Sequence, residues 1–175
     1  VPVSDGIDLV FAEDIVYEDF EDNVEGTSRI NEALLTTSAN ATAKIVLEPN
    51  SSNQIAMVEA SGETSYKDRY IKLAIPKGNY KQIKYRINLV QGDVNYKSVI
   101  CKIDNAQIDN YAMAGNTQQW MERTIDASGS NLNYAADAIM EIGLGCDGKG
   151  SIGGSGVQTI FYIDNICLTP YATIN

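Results

Sequence analysis

The stretch that most constrains this chain is Lys81–Val90 (KQIKYRINLV), where apolar and polar residues alternate almost throughout. Ile83, Tyr85, Ile87 and Leu89 fall on one side, and Gln82, Lys84, Arg86 and Asn88 on the other. A period of two with one polar side marks a strand of an antiparallel sheet buried on a single face. Ile139–Gly145 repeats the pattern, with Met140, Ile142 and Leu144 opposite Glu141, Gly143 and Gly145. Short runs rich in Val, Ile, Tyr and Thr recur at 15–20, 44–47, 55–58, 70–75, 99–103, 121–125 and 159–168, each bounded by Gly, Asn, Asp, Ser or Pro. Many short strands with regular turns predict an all-β sandwich or barrel. The one helical candidate, residues 29–36 (RINEALLT), reads as a single turn of helix or an irregular strand, and 147–156 (DGKGSIGGSG) as a flexible loop. The expected organisation is one domain over 15–170, with 1–14 a leader or linker to a parent protein and 171–175 a tail.

Composition narrows the chemistry. With 13 basic and 23 acidic residues the net charge is −10, which disfavours nucleic acid and anionic lipid and favours a neutral ligand or a calcium ion. The absence of histidine removes the commonest general base, the Ser-His and Cys-His pairs and the most frequent zinc ligand. Cys101, Cys146 and Cys167 form no C-x-x-C, so no zinc ribbon is signalled. Buried thiols are the plainer reading, and a Cys101–Cys146 bridge stays open. No apolar stretch approaches the roughly 20 residues of a membrane helix, and the N-terminus lacks a signal-peptide pattern, so export would depend on a longer parent chain. Paired carboxylates about 5–10 Å apart can hydrolyse glycosides, but nothing singles out such a pair.

Sugars are recognised by planar hydrogen-bonding side chains together with aromatic rings. Gln82, Lys84, Arg86 and Asn88 on one strand, with Glu141 beside two glycines on another, would form a platform of that kind; an ordinary solvated sheet face is the competing reading. The ten tyrosines include several in polar contexts, among them Tyr66, Tyr80, Tyr96, Tyr111 and Tyr134. Tyr85 and Phe161 are expected in the core. Trp120 reads as a core anchor or a stacking residue, with the core reading ahead. Glu18, Asp19, Glu21 and Asp22 cluster around Phe20 in the first clear strand, and Asp164 lies in the last. Carboxylates brought together from first and last strands suit calcium, which takes 6–8 oxygens; a charged edge strand is the plainer alternative.

At YEDFE (Tyr17–Glu21) and FYIDNICL (Phe161–Leu168) the chain resembles jelly-roll carbohydrate-binding modules, especially families 4 and 22. YIKLAIP (70–76) and WMERTID (120–126) look like the middle strands of those modules, so the resemblance spans about residues 15–170. More narrowly, the chain looks like the modules inserted in family-10 xylanases of gut Bacteroidetes. The resemblance implies a jelly-roll β-sandwich of two antiparallel sheets, a concave face that binds xylan, and a structural calcium. It places Glu21 and Asp164 where the family holds the metal, Glu141 at a polar sugar contact in the penultimate strand, and Arg86 on a concave-side strand. The family's tryptophan on an early strand is missing; the only tryptophan is Trp120, which leaves stacking to tyrosines. The expected function is therefore a non-catalytic, monomeric module of an exported enzyme, extracellular, at the cell surface or periplasmic. It would bind xylan or a related β-glycan through Gln82, Lys84, Arg86, Asn88, Tyr96, Tyr111, Trp120 and Glu141, and target the catalytic domain of the same parent chain to its substrate. An adhesive β-sandwich making protein–protein contacts is the competing function.

Overall fold

Side-chain alternation decides how the strands stack into layers. The computed structural model describes residues 9–10, 15–21, 35–61, 66–92, 97–113, 117–149, 157–171 and 173–174. These form β1 (Leu9–Val10), β2 (Ile15–Glu18), β3 (Leu35–Thr37), β4 (Ala41–Leu47), β5 (Gln54–Ala60), β6 (Lys67–Ile75), β7 (Gly78–Gln91), β8 (Ser98–Ile103), β9 (Ala106–Ala112), β10 (Met121–Asp126), β11 (Asn133–Tyr134), β12 (Ala138–Cys146), β13 (Ile160–Pro170) and β14 (Thr173–Ile174). A seven-stranded sheet runs β10-β7-β13-β5-β4, with β11 added to β7 and β2 to β13. A five-stranded sheet runs β3-β6-β12-β8-β9, and every pairing is antiparallel. The result is the expected all-β, jelly-roll sandwich.

Each expected strand is present. Ile83, Tyr85, Ile87 and Leu89 of β7 and Phe161 and Ile163 of β13 face Ile71, Leu73 and Ile75 of β6 and Met140, Ile142 and Leu144 of β12 across one continuous core. Tyr80, grouped by sequence with the tyrosines in polar contexts, belongs to that core. The β8–β9 hairpin was not read from the sequence, because β9 (AQIDNYA) is mostly polar. Its two-residue turn holds Asp104 and Asn105 at φ 48° and 66°, the left-handed pair that tight hairpins require. Of residues 29–36, only Leu35 and Thr36 are described, and both lie in β3. Leu9–Val10 and Thr173–Ile174, assigned by sequence to the leader and tail, pair with each other as a two-stranded sheet.

Two polar contacts lock the layers, and a third joins neighbouring strands of the five-stranded sheet. At one edge the Arg123 guanidinium on β10 grips both carboxylate oxygens of Asp109 on β9, at 2.9 and 2.6 Å, while the buried Tyr85 hydroxyl donates to the same carboxylate at 2.9 Å. The fully buried Arg69 donates to the main-chain oxygens of Asn40, Ser61 and Cys146, joining two loops to β12. Lys97 and Asp147 form a buried ion pair at 3.0 Å. Buried charges survive where partners replace the lost water, as here. All three cysteines are free; burial and the nearby Asp109 and Glu141 carboxylates push the Cys101 thiol well up, so it stays protonated and inert.

Candidate functional site

Because both sheets bury one face in the core, functional side chains collect on two outer faces that point in opposite directions. On the five-stranded sheet, β12 contributes Glu141, Gly143 and Gly145. Glu141 sits between Lys72 of β6 and Lys102 of β8, its direct cross-strand neighbours. Burial, together with the neighbouring Glu141 carboxylate, pushes the Tyr70 phenol up to about 12. Lys72 lies 5.7 Å from the Tyr70 ring centre, and Lys102 pairs with Asp68 at 2.6 Å. The exposed Tyr66 passes over Gly145, where a β-carbon would collide with its hydroxyl. A β-carbon at Gly143 would collide with the main chain of Arg69 and Tyr70. The expected one-sided burial therefore fails at β12: Glu141, Gly143 and Gly145 are buried too, with the β6 main chain close against Gly143 and Tyr66 over Gly145.

The outer face of the seven-stranded sheet is built differently. Arg86 of β7 stacks on Trp120, with its guanidinium carbon 4.6 Å from the ring centre. Tyr162 of β13 stands 6.2 Å from the same ring, tilted by 40°. The indole N–H donates to Glu48 at 2.6 Å. Trp120 thus lies on the outer face, and the core reading of it is corrected: the strand Met121–Asp126 begins one residue later, and the ring turns outward over Arg86. Asn88 faces outward beside Tyr162, its cross-strand partner. Gln82 donates to Asp126 at 3.1 Å, and Lys84 shares the same face.

The expected platform is therefore split. Gln82, Lys84, Arg86, Asn88 and Trp120 share the seven-stranded face, whereas Glu141 lies on the five-stranded one, so Arg86 and Glu141 cannot line a common surface. Tyr111 sits on the edge strand β9 against Arg123, 4.3 Å from ring centre to guanidinium carbon. Tyr96 lies outside the described residues. Sequence reading missed Tyr70, Lys72, Lys102, Tyr162 and Glu48. Alternation within KDRYIKLAI already puts Asp68, Tyr70 and Lys72 on one side, but pairing with Glu141 depends on strand order.

Asp164 is fully buried opposite Arg86, just before a bulge in β13 that holds the left-handed Asn165 (φ 49°). One of its oxygens accepts from Asn53 at 2.9 Å; the other has no hydrogen-bond partner among the described residues. Burial raises its pKa, Asn53 and Arg86 lower it, and Glu21 raises it again, which places the Glu21 charge nearby. Glu21 accepts from the Gln54 N–H at 2.9 Å. Among the described residues no three carboxylate, thiol or imidazole groups converge, so a cation here would need the Asn53 amide and main-chain oxygens as well.

No family profile and no curated protein sequence matches the chain. Solved structures do share its fold. The xylan-binding CBM22-1 domain of Xyn10C from Paenibacillus barcinonensis superposes with a TM-score of 0.53 at 10% identity, over 93% of this chain and 96% of that one. The K2 cleaved adhesin domain of Lys-gingipain gives 0.53 at 12% identity, over 89% and 99%. A cyclase from Fischerella gives 0.55 at 10% identity, over 96% and 98%. The fold is that of jelly-roll carbohydrate-binding modules, as the sequence resemblance implied. At this level of identity the likeness is one of fold, and it is shared by an adhesin and an enzyme, so function must be argued from the side chains.

Proposed function

We propose that this chain is a non-catalytic module that binds a neutral plant polysaccharide, xylan or a related β-glycan, on the outer face of the five-stranded sheet. The observation that carries the reading is the Glu141 cluster, in which Tyr66 and Tyr70 lie beside a glycine floor flanked by Lys72 and Lys102. Tyr66 offers a ring for stacking on a pyranose, and the two lysines offer donors to sugar hydroxyls. Glu141 is only 5% exposed, so its part is to position the Tyr70 hydroxyl and the two ammonium groups. The fold shared with a xylan-binding domain supports this reading. Binding would hold an attached glycoside hydrolase near its substrate outside the cell or in the periplasm, as a raised local concentration.

The same reading includes a structural calcium held by Asp164, Glu21 and Asn53. The buried Asp164 oxygen without a partner fits it, and the ion would tie the first strand to the last without touching sugar.

Affinity electrophoresis through native gels containing xylan, mixed-linkage glucan, galactomannan or no polysaccharide tests the function. Retardation by xylan is expected, and it should weaken in Tyr66→Ala and Glu141→Ala with little change in melting temperature. Free migration in every gel rejects glycan binding and favours the adhesive function.

A further inference from the structure

The outer face of the seven-stranded sheet holds polar groups that the fold leaves unused. Asn88 is 92% buried, since its relative exposure is 8%, and its side-chain oxygen has no hydrogen-bond partner among the described residues. A buried acceptor in that state is destabilising unless a donor reaches it. Two residues along the same strand face, Arg86 stands over the Trp120 ring, yet its guanidinium forms no ion pair or hydrogen bond with any described residue, although Asp164 and Glu122 are its cross-strand neighbours. Stacking on an indole leaves the in-plane N–H donors pointing away from the ring. The Tyr162 hydroxyl, beside the same ring, also has no partner among the described residues. Trp120 itself is held by Glu48 through its N–H and by Arg86 on one face. An aromatic ring fixed in this way loses little freedom when a ligand arrives.

We infer that Arg86, Asn88, Trp120 and Tyr162 form a second glycan-contact surface, independent of the Glu141 face, so that one domain can hold two polysaccharide chains on opposite sides. The inference rests on glycan binding being the protein's function. Donors, a buried acceptor and an aromatic edge within one patch match the alternating hydroxyls and apolar faces of a sugar ring. Glu48, Glu122 and Asp164 surround Arg86 and would repel an anionic ligand, which selects a neutral glycan. Two faces pointing in opposite directions would cross-link chains rather than lengthen a single binding site.

Trp120 is the only tryptophan, so its fluorescence reports this patch alone. Xylohexaose titrated into the whole chain should give a saturable change in emission that persists in Glu141→Ala. In Arg86→Ala and Asn88→Ala the midpoint should rise at least about tenfold, while xylan gels still retard both variants. Tyr162→Phe, which removes only a hydroxyl, should raise the midpoint by a smaller factor and guards against misfolding of the other variants. Xylan retardation with no emission change under xylohexaose, cellohexaose or mannohexaose overturns the second surface and leaves the first standing. An emission change abolished by Glu141→Ala also overturns it, since one site then explains both signals. Neither retardation nor emission change rejects glycan binding altogether.

Discussion

The two outer faces of the sandwich differ in how their polar groups are satisfied. On the five-stranded sheet the groups answer one another: Lys102 pairs with Asp68, and Glu141 lies between Lys72 and Lys102 with its charge felt by Tyr70. On the seven-stranded sheet Arg86 is stacked but has no ion-pair partner among the described residues, and there one buried oxygen each of Asn88 and Asp164 has no donor. The first face is a finished, preorganised surface on a floor of glycines. The second keeps unmet hydrogen-bonding capacity that a ligand or cation can meet. Similar composition on two faces of one sheet pair can thus serve different ends, because partner placement decides which groups remain free.

The largest expected effect tests the glycine floor. Gly143→Ala forces a β-carbon into the β6 main chain and should cost about 3 kcal/mol, as overpacking does. Thr124→Ala, on the seven-stranded face, should stay within about 0.5 kcal/mol. Urea midpoints compare the two, and equal losses would remove the distinction between a packed face and an open one.

Asp164 comes next. Its raised pKa means the folded protein holds this proton more tightly than the unfolded chain. The carboxyl therefore favours folding at pH below the ordinary carboxylate range, and that contribution is lost as pH rises through its raised pKa. With chelator at neutral pH, Asp164→Asn should exceed the native protein in stability by about 1–3 kcal/mol, and the gain should shrink on acidification. Added calcium should reverse the order. Melting curves that ignore calcium reject the metal site.

The Lys102–Asp68 pair is partly exposed, so Lys102→Met should cost less than about 1 kcal/mol, and salt should erase much of that. A larger, salt-independent loss would mean the face is more deeply coupled than its contacts indicate. The smallest effect is spectroscopic and leaves neutral-pH stability untouched. Tyr70 should ionise at about 12, and in Glu141→Ala its titration, followed by phenolate absorbance, should fall toward 10. In the native protein the folded state keeps this proton between those values while the unfolded chain loses it, so stability declines as pH rises across that window. A Tyr70 titration unmoved by Glu141→Ala would sever the pair on which the first face is built.

Much of this protein is set locally. Alternation along Lys81–Val90 and Ile139–Gly145 placed Tyr85, Ile87, Met140 and Ile142 inward, and the structure agrees, because side-chain direction in a strand follows position alone. The first and last strands could also be read as neighbours, and β2 does pair with β13. What local pattern cannot specify is which strand lies beside which. Glu141 and Arg86 each point outward, as their positions dictate, but strand order sends one to each side of the sandwich. Trp120 could be core or surface until the register of Met121 against Ile87 put its ring over Arg86. Glycines 143 and 145 look like open space in sequence, but in the fold the β6 main chain closes on the first and Tyr66 covers the second. The sequence by itself determined the layers and the inward residues, through a period of two that each strand carries alone. Only the tertiary structure decided which polar groups meet and which stay unpaired, because those contacts join residues far apart in the chain.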